Sequence, residues 1–341
     1  MTATEPQVSI VIPTFRRPSL GRTLAGLVGQ QLAVAFEVVV VDNDAAGSAA
    51  PIVEQHRAAI GGTVRHVVET QTGSAYARNR GIAEAQGAIV ALLDDDVEPR
   101  PGWLAAITAP ILSGEAEATG GRVVLDPTAA RPLWFDEDGI GGYLTAFHLS
   151  DIARDLTERE FVVTANAAFA TDLLRRSGGF DPALGPRGTV QLVGDDVHVV
   201  RAVQRLGGRV RYVPNAVVIH ELPPSRLRPL WLLKRAWWQG RSDWILDAES
   251  LSERRYGGAA VAVDWYTREV RRRRTDARSG VLGRAVLFHL ACDTARTAAR
   301  LVGATRLART QRPESAEPAG TVKRQAAGGK PGDEHDPTIG R

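Results

Sequence analysis

Three adjacent aspartates, Asp94, Asp95 and Asp96, follow directly after an apolar segment over residues 88–93. A continuous apolar run of this length predicts a strand that is buried on both faces of a parallel sheet. Adjacent carboxylates repel one another, and their position at the end of a buried strand adds a desolvation cost. A divalent cation removes both costs, and Mg²⁺ usually takes one or two protein carboxylates together with substrate phosphates. The triplet therefore predicts a metal–diphosphate site, with a solvated acidic turn as the alternative.

A second pair of acids, Asp195 and Asp196, comes just before a predicted amphipathic helix over residues 197–206. The simplest interpretation makes Asp195 the N-cap of this helix, which places Asp196 on its first turn. If Asp196 faces the cleft, its carboxylate can accept a proton from an attacking hydroxyl, as a general base does. His220 ends a later strand, where a histidine is more often structural but can also bind a metal or a phosphate.

Three further polar segments stand where predicted strands end or a helix begins. They are Pro13-Thr14-Phe15-Arg16-Arg17, Asp42-Asn43-Asp44, and residues 73–81 with Arg78 and Asn79. Each segment alone has a simpler explanation, such as solvated arginines or a turn. Because ligands of open α/β sheets bind at the carboxyl ends of the strands, the segments together predict one nucleotide-binding crevice.

The elements that must position these residues alternate between strand and helix. Apolar segments at residues 8–13, 36–41, 64–68 and 88–93 predict strands, and segments with helical spacing lie between them. Such alternation implies right-handed crossovers and an α/β fold with a parallel, Rossmann-type sheet. No Gly-x-Gly-x-x-Gly motif follows any of these strands, which argues against a dinucleotide cofactor.

The composition indicates a globular protein in a reducing compartment. The chain has 341 residues, of which 44% are hydrophobic and 24% charged, and its net charge of +3 gives no strong field for nucleic acid. Cys292 is the only cysteine, so no internal disulfide can form. The N-terminal residues are polar, and no apolar run is long enough for a membrane span. We therefore expect a cytoplasmic protein that binds no nucleic acid.

The motifs and their order resemble those of family-2 glycosyltransferases with the GT-A fold. The matching segments are Val-Ser-Ile-Val-Ile-Pro-Thr-Phe at 8–15, Val-Val-Val-Asp-Asn at 39–43, Ala-Arg-Asn-Arg-Gly-Ile at 77–82, Leu-Leu-Asp-Asp-Asp-Val at 92–97, Asn-Ala-Ala-Phe at 166–169, Gly-Gly-Phe-Asp at 178–181, Gly-Asp-Asp at 194–196 and Ile-His at 219–220. The resemblance covers residues 7–222. Within the family, the chain resembles a bacterial, non-processive subgroup. It implies a mostly parallel sheet flanked by helices, followed by a C-terminal helical extension.

The resemblance also implies a role for each matching residue. Donor-binding residues are Pro13, Thr14, Phe15, Arg17, Asp42, Asn43, Arg78, Asn79, Asp94 and Asp95. The divalent metal, Mg²⁺ or Mn²⁺, is expected at Asp96, Asp94 and His220, and Asn166 and Trp134 are expected to bind the acceptor. Asp196 matches the general base of inverting members, and Asp195 stands where glutamate is usual.

The implied activity is the transfer of one sugar, with inversion, from a UDP-, dTDP- or GDP-sugar to a hydroxyl acceptor, soluble or lipid-linked. Two departures from the family pattern bear on this. Asn43 replaces a common acid, which weakens the assignment of UDP, and the Gln-x-x-Arg-Trp motif of processive synthases is absent, which favours single-sugar transfer. The alternatives are a non-catalytic nucleotide-sugar-binding protein and a sugar-nucleotide pyrophosphorylase, although the latter would carry a Gly-rich loop after the first strand.

We expect four regions along the chain. Residues 1–120 form the nucleotide-sugar half and 121–222 the acceptor half of one domain, 223–310 the helical extension, and 311–341 a disordered tail. Residues 227–246 mix tryptophan with basic residues, a composition that suits an anionic membrane surface, and Arg271–Arg274 would add to it. The alternative is that these tryptophans close the acceptor side of the catalytic domain.

Overall fold

The computed structural model describes residues 5–137, 139–158, 160–251, 266–267 and 283–310. The strands are β1 (Val8–Thr14), β2 (Phe36–Asp42), β3 (Thr63–Val68), β4 (Ile89–Leu93), β5 (Val97–Pro99), β6 (Ala118–Leu125), β7 (Arg154–Asp155), β8 (Asn166–Ala170), β9 (Pro186–Arg187), β10 (Val190–Gln191) and β11 (Val210–His220). The helices are α1 (Leu20–Leu27), α2 (Ala50–Arg57), α3 (Ser74–Glu84), α4 (Trp103–Leu112), α5 (Ile140–Tyr143), α6 (Thr171–Arg176), α7 (Asp195–Arg205), α8 (Pro229–Leu251) and α9 (Gly283–Thr310), with a short 3₁₀ helix at Pro224–Leu227.

Within the described residues, one nine-stranded sheet has the order β3-β2-β1-β4-β8-β6-β11-β5, and β7 pairs with β11 beside this path. Strands β1, β2, β3, β4, β6 and β11 run in one direction, and β5, β7 and β8 run in the opposite direction. The predicted α/β class with a mostly parallel sheet is confirmed. Strands from both predicted halves of the domain share this sheet, while the boundary at residue 120 stays a prediction.

The central strands are buried on both faces, as their continuous apolar sequences predict. In β4, Ile89, Ala91 and Leu93 enter the hydrophobic cluster on one side of the sheet, and Val90 and Leu92 enter the cluster on the other side. Burial of each such aliphatic side chain contributes about 1.5–3 kcal/mol. The strand is therefore held rigidly on both faces, and the aspartates that follow it start from a fixed position.

Helix α3 lies unusually close to the sheet. A Cβ atom at Gly81 would lie 2.2 Å from Cγ1 of Val11 in β1, so only glycine fits at this crossing. The close approach sets the position of the polar first half of α3, which includes Arg78, above the strand ends.

Two elements differ from what the sequence pattern predicts. Alternation over residues 161–169 predicts one strand, but a strand forms only at Asn166–Ala170. The apolar residues at 209–213 and 216–219 predict two strands, but they form one strand, β11, whose register with β6 shifts between Val213 and Val217. Pro214 explains this shift, because proline cannot donate a hydrogen bond to the neighbouring strand.

The predicted helical extension is present as α8 and α9, which pack tightly on each other. A Cβ atom at Gly240 would lie 1.9 Å from the carbonyl oxygen of Arg296, so the two helices touch at glycine. No helix in the described ranges is both long and apolar enough to span a bilayer. The predicted tail, 311–341, and the basic run Arg271–Arg274 lie outside the described residues.

Candidate active site

The strand ends bring the predicted site residues to one edge of the sheet. Strands β1, β2 and β4 are adjacent and parallel, so Thr14, Asp42 and the aspartate triplet leave the sheet side by side. Strand β11 reaches the same edge because His220 pairs with Val97, directly after the triplet.

Within the triplet, Asp95 points inward. Its Oδ2 accepts a hydrogen bond of 2.7 Å from the Thr14 hydroxyl, and the side chain is buried. Burial and the adjacent charge of Asp96 raise the pKa of Asp95 to about 7, although the Thr14 hydrogen bond opposes this. Asp95 and Thr14 thus join two strand ends beneath the site.

Asp96 lies among positively charged groups. Its Oδ2 accepts hydrogen bonds from Arg226 Nη2 at 2.9 Å and from Arg17 Nη1 at 3.4 Å, and its Oδ1 lies 3.4 Å from His220 Nε2. Burial opposes ionisation of Asp96, but His220 and Arg226 lower its pKa. Asp96 is therefore a carboxylate with both oxygens engaged.

His220 is almost completely buried beside Asp96, and burial lowers the pKa of its imidazole although Asp96 opposes the shift. Its Nδ1 is buried and has no hydrogen-bond partner among the described residues. A neutral imidazole with an unpaired nitrogen has the chemistry of a metal or phosphate ligand.

Arg78 joins the two groups of acids. Its Nη2 donates to Asp94 Oδ1 at 2.8 Å, and its Nη1 donates to Asp195 Oδ2 at 2.7 Å. Its guanidinium also lies over the ring of Phe180, 5.3 Å from the centroid. Burial opposes protonation of Arg78, but Asp94 and Asp195 raise its pKa. One guanidinium thus holds acids from two distant segments at a single cleft.

Asp196 is held by Thr164, which precedes β8. Its Oδ1 accepts hydrogen bonds from the Thr164 amide at 3.0 Å and from the Thr164 hydroxyl. Burial and the neighbouring charge of Asp195 raise the pKa of Asp196 to about 7, against the opposing effect of Arg78. A carboxylate with this pKa can both accept and release a proton near neutral pH.

The expectation that Asp195 caps α7 with its side chain is wrong. Gly194 occupies the N-cap position with φ of 104°, and Asp195 is the first helical residue, with its carboxylate bonded to Arg78. Glycine adopts this left-handed conformation without strain, and the turn aims Asp195 toward the first group of acids.

Asp42 and Asn43 hold loops around the site. Asp42 is fully buried, and its carboxylate accepts hydrogen bonds from the backbone amides of Asp44 at 3.0 Å and Ala49 at 2.7 Å. The Asn43 side-chain amide donates to the carbonyls of Glu69 and Gln71 and accepts from the Gly73 amide at 2.8 Å. An aspartate at 43 has no donor for those carbonyls, which explains the asparagine. Contact of either residue with a base stays a prediction.

Asn79 holds the segment that carries Phe180. Its Nδ2 donates to the Phe180 carbonyl at 2.7 Å, and its Oδ1 accepts from the Phe180 amide at 2.8 Å. The ring of Phe180 in turn supports Arg78, so Asn79 acts on the cluster through its neighbours. Its predicted contact with the donor remains untested.

The remaining donor-side residues lie at the end of β1. Pro13 pairs with Val41 in the sheet, and Phe15 is half-exposed with the Arg16 guanidinium 5.2 Å from its ring centroid. Arg17 reaches Asp96. Phe15 and Arg17 are thus partly exposed at the end of β1, where a nucleotide could contact them.

The two expected acceptor residues lie in different surroundings. Asn166 is fully buried, and its amide donates to the carbonyls of Arg122 and Ala216 and accepts from Trp103 Nε1 at 2.8 Å. An acceptor would have to displace one of these bonds. Trp134 packs on Phe288 of α9 with ring centroids 4.7 Å apart. Acceptor binding by either residue stays a prediction.

Sequence reasoning missed Thr164, Phe180 and Arg226 as site residues. Thr164 contacts Asp196 across 32 residues of chain, and Arg226 contacts Asp96 across 130 residues. Phe180 lies in the recognised Gly-Gly-Phe-Asp segment, which was the available signal for it.

The acids and His220 offer oxygen and imidazole ligands to a divalent cation. Asp94 uses one oxygen for Arg78 and is part-exposed, and His220 has its unpaired Nδ1. Among the described residues, no cluster of three or more His, Cys, Asp or Glu side chains is arranged to hold a metal ion. Mg²⁺ usually takes only one or two protein carboxylates and completes its shell with water and substrate phosphates, so the carboxylates at this edge have the chemistry for a partial set of ligands.

Comparison with known proteins identifies the family. The model of the family described as Glycosyl transferase family 2 matches residues 9–177. The chain belongs to this family, and it is a glycosyltransferase. The matched range contains the aspartate triplet, Arg78 and Thr164 and ends before Asp195. Family membership counts against the two alternatives, a non-catalytic binding protein and a pyrophosphorylase.

Curated relatives of this glycosyltransferase carry glycosyltransferase or polysaccharide-synthesis names. The Glucosyl-dolichyl phosphate glucuronosyltransferase of Haloferax volcanii is 28% identical over 246 residues, which are 71% of this chain and 77% of that protein. The Succinoglycan biosynthesis protein ExoM of Rhizobium meliloti is 28% identical over 250 residues, 71% of this chain and 75% of that protein.

A solved structure with a similar fold is the mannosyltransferase PcManGT from Pyrobaculum calidifontis, in complex with GDP-Man and Mn²⁺. The match has a TM-score of 0.50 and 20% identity, and it covers 94% of this chain and 77% of that protein. At this identity the likeness shows the fold alone. It agrees with the GT-A architecture that the sheet order and flanking helices form.

Proposed function

We propose that this family-2 glycosyltransferase moves one sugar, with inversion, from a nucleotide-diphosphate sugar to an acceptor hydroxyl, and that it depends on Mg²⁺ or Mn²⁺. The observation that carries the proposal is the double contact of Arg78 with Asp94 and Asp195. Arg78 thereby brings two groups of acids to one cleft. The aspartate triplet is suited to a diphosphate–metal complex, and the pair Asp195–Asp196 contains the candidate base.

Asp196 is the base in this proposal. Its pKa of about 7 lets it ionise near neutral pH, and Thr164 occupies only Oδ1. In the described part of the chain, Oδ2 has no hydrogen-bond partner, so it is available to an acceptor hydroxyl. As the hydroxyl oxygen bonds to the anomeric carbon, its proton passes to Asp196. The bond from that carbon to the diphosphate breaks on the opposite face, and no covalent intermediate with the enzyme is needed.

Asp94, Asp96 and His220 would hold the cation, which when bound supplies positive charge to the departing diphosphate. Arg17 and Arg226 already place two guanidinium groups at Asp96 and can share in binding that diphosphate. Arg78 donates a hydrogen bond to each of Asp94 and Asp195 and so orients both carboxylates. UDP, dTDP and GDP remain the candidate nucleotides. Absence of the Gln-x-x-Arg-Trp motif supports transfer of a single sugar.

The proposal includes peripheral contact with an anionic membrane through the outer face of α8, formed by Leu230, Lys234 and Trp237. The spacing places these residues on one side of the helix. Leu230 is 81% and Trp237 38% exposed. Anionic lipid contributes about 1 kcal/mol for each nearby basic residue. Trp231, by contrast, packs against the cluster at Leu232, which supports the alternative role of closing the acceptor side.

The test of the proposed base is the substitution Asp196→Asn. Removal of a general base lowers transfer by about a hundredfold or more, while donor binding is retained because the amide keeps the shape of the side chain. Asp172→Asn, an exposed acid on α6, is the matched control. The donor is first found by thermal shift with Mn²⁺ against UDP-, dTDP- and GDP-sugars, because a true donor stabilises the fold by mass action.

The pH profile adds a second check. A base works only when deprotonated, so wild-type kcat/KM should fall as pH drops below about 7. Near-normal turnover by Asp196→Asn with the acceptor would move the role of base to another residue or overturn the mechanism.

A further inference from the structure

Helix α8 carries a guanidinium without an acidic partner. Arg235 Nη1 donates a hydrogen bond of 3.2 Å to Gln239 Oε1, one turn later on the same helix. Within the described residues this neutral amide is its hydrogen-bond partner, and no carboxylate lies at ion-pair distance. Arg235 is only partly exposed, and a partly desolvated charge without a paired counter-charge is costly unless something binds it.

Arg78 and Arg296 differ from Arg235 because each contacts an acid. Arg78 contacts Asp94 and Asp195, and Arg296 Nε contacts Asp243 Oδ2 at 2.6 Å. Although burial opposes protonation, these acids raise the pKa of both arginines. Burial instead lowers the pKa of Arg235 to about 10, and Tyr143 and Asp196 oppose this shift only in part.

A chain of hydrogen bonds holds Arg235 in place. Gln239 Nε2 donates to Asp243 Oδ1 at 3.1 Å, and the charge of Asp243 is balanced by Arg296. The amide oxygen of Gln239 is thereby turned toward Arg235. These hydrogen bonds orient the guanidinium without pairing it directly with a carboxylate of the described residues. A binding group that is oriented in advance loses little entropy when a ligand arrives.

Arg235 lies on the side of the cleft that contains the proposed base. Helix α8 contacts the segment leading to the acid pair, because the Ser242 hydroxyl accepts a hydrogen bond of 2.8 Å from the Val193 amide. Leu246 packs against Gly194 in the same segment. The charges of Arg235 and Asp196 interact. A group bound to Arg235 would therefore lie on the same side of the cleft as the acceptor hydroxyl.

We infer that Arg235 binds an oxyanion of the acceptor, a phosphate or a carboxylate, close to the hydroxyl that receives the sugar. The inference rests on the proposed function, since it takes Asp196 as the base. The planar guanidinium matches the two oxygens of either group. The diphosphate of the donor has other cations, Arg17 and Arg226 at Asp96, so Arg235 is left for the acceptor.

The experiment uses the full chain with three small probes of the same length: hexyl phosphate, hexanoate and hexanol. Calorimetry at low ionic strength should show that the wild type binds at least one of the two anions and does not bind hexanol. A charge-assisted hydrogen bond corresponds to about tenfold in affinity, so Arg235→Gln should weaken anion binding by about tenfold or more. The preferred anion tells phosphate from carboxylate acceptors.

Arg205→Gln is the matched control. Arg205 is an exposed arginine at the far end of α7, the helix that also carries Asp196, and its loss should not change anion binding. Arg235→Lys keeps the charge but loses the planar guanidinium that can donate two parallel hydrogen bonds. Its affinity for the anion should therefore lie between those of the wild type and Arg235→Gln. If circular dichroism shows that Arg235→Gln does not fold, the comparison of Arg235→Lys with the wild type is used instead.

Equal anion affinity in the wild type and in the folded Arg235 variant would overturn the inference, and so would binding of hexanol as strong as that of the anions. The proposed function is tested separately, by metal-dependent hydrolysis of donor sugars without any acceptor. Failure of every donor in that assay would refute the proposed function. Anion binding that does not depend on Arg235 would refute the acceptor site alone.

Discussion

Replacement of Arg78 by methionine should destabilise the enzyme strongly and in a pH-dependent way. Both ion pairs of Arg78 are short, at 2.8 Å to Asp94 and 2.7 Å to Asp195, and the side chains of Arg78 and Asp195 are 8% and 6% exposed. Removal of one partner of a buried ion pair costs about 3–5 kcal/mol, because the remaining charge is left uncompensated. Asp94 is 29% exposed and is screened by water, so most of the loss belongs to Asp195.

The sign of the pH dependence follows from the proton balance. Arg78 lowers the pKa of Asp196 in the wild type, so without Arg78 that pKa rises further above about 7 and the folded variant binds more protons than the unfolded chain. Its stability is therefore highest at low pH and is lost as pH rises through the raised pKa values. The loss in free energy of unfolding of Arg78→Met relative to the wild type should be largest at about pH 8 and smaller at about pH 5.

Urea unfolding followed by tryptophan fluorescence measures this deficit. Adding Asp195→Asn to Arg78→Met removes the carboxylate charge that has lost its partner. The double variant should recover about 1–3 kcal/mol of the free energy of unfolding. The control is Arg176→Met, which breaks an exposed ion pair with Asp172 and should cost under about 0.5 kcal/mol. A loss below about 1 kcal/mol for Arg78→Met at high pH, or no recovery in the double variant, would refute this account of the cluster.

Three other predictions concern separate parts of the molecule. Asp96→Ala should abolish metal-dependent donor binding in calorimetry, and unchanged affinity in a folded variant would remove Asp96 from the proposed metal site. Asp95 has a folded pKa of about 7, so wild-type stability should fall as pH rises from about 4 to 7 in the absence of metal. Asp95→Asn, which can still accept the Thr14 hydrogen bond, should reduce that fall, and an unchanged melting-temperature profile would contradict the assignment. Sedimentation of the protein with anionic liposomes should be salt-sensitive. Trp237→Ser, and replacement of Arg271–Arg274 by serine, should each weaken it. No binding at low salt would favour an enzyme without membrane contact.

Much of the fold could be predicted from local sequence. The apolar segments ending at Thr14, Asp42 and Leu93 are strands buried on both faces, because a parallel sheet covered by helices hides both sides of each strand. The alternation of strands with helices placed the polar residues at the carboxyl ends of the strands. The order of the motifs was enough to indicate the family.

Only the tertiary structure determined which side chains meet. The sequence places Asp94, Asp95 and Asp96 together, yet they point toward three different partners, namely Arg78, Thr14 and the Arg226–His220 pair. Asp195 is bonded to Arg78 instead of capping its helix, and Asp196 is held by Thr164. These contacts join residues far apart in the chain through one or two hydrogen bonds each, which leave no periodic pattern in the sequence. Their geometry depends on how closely α3 and α7 pack on the sheet, and that packing exists only in the folded molecule.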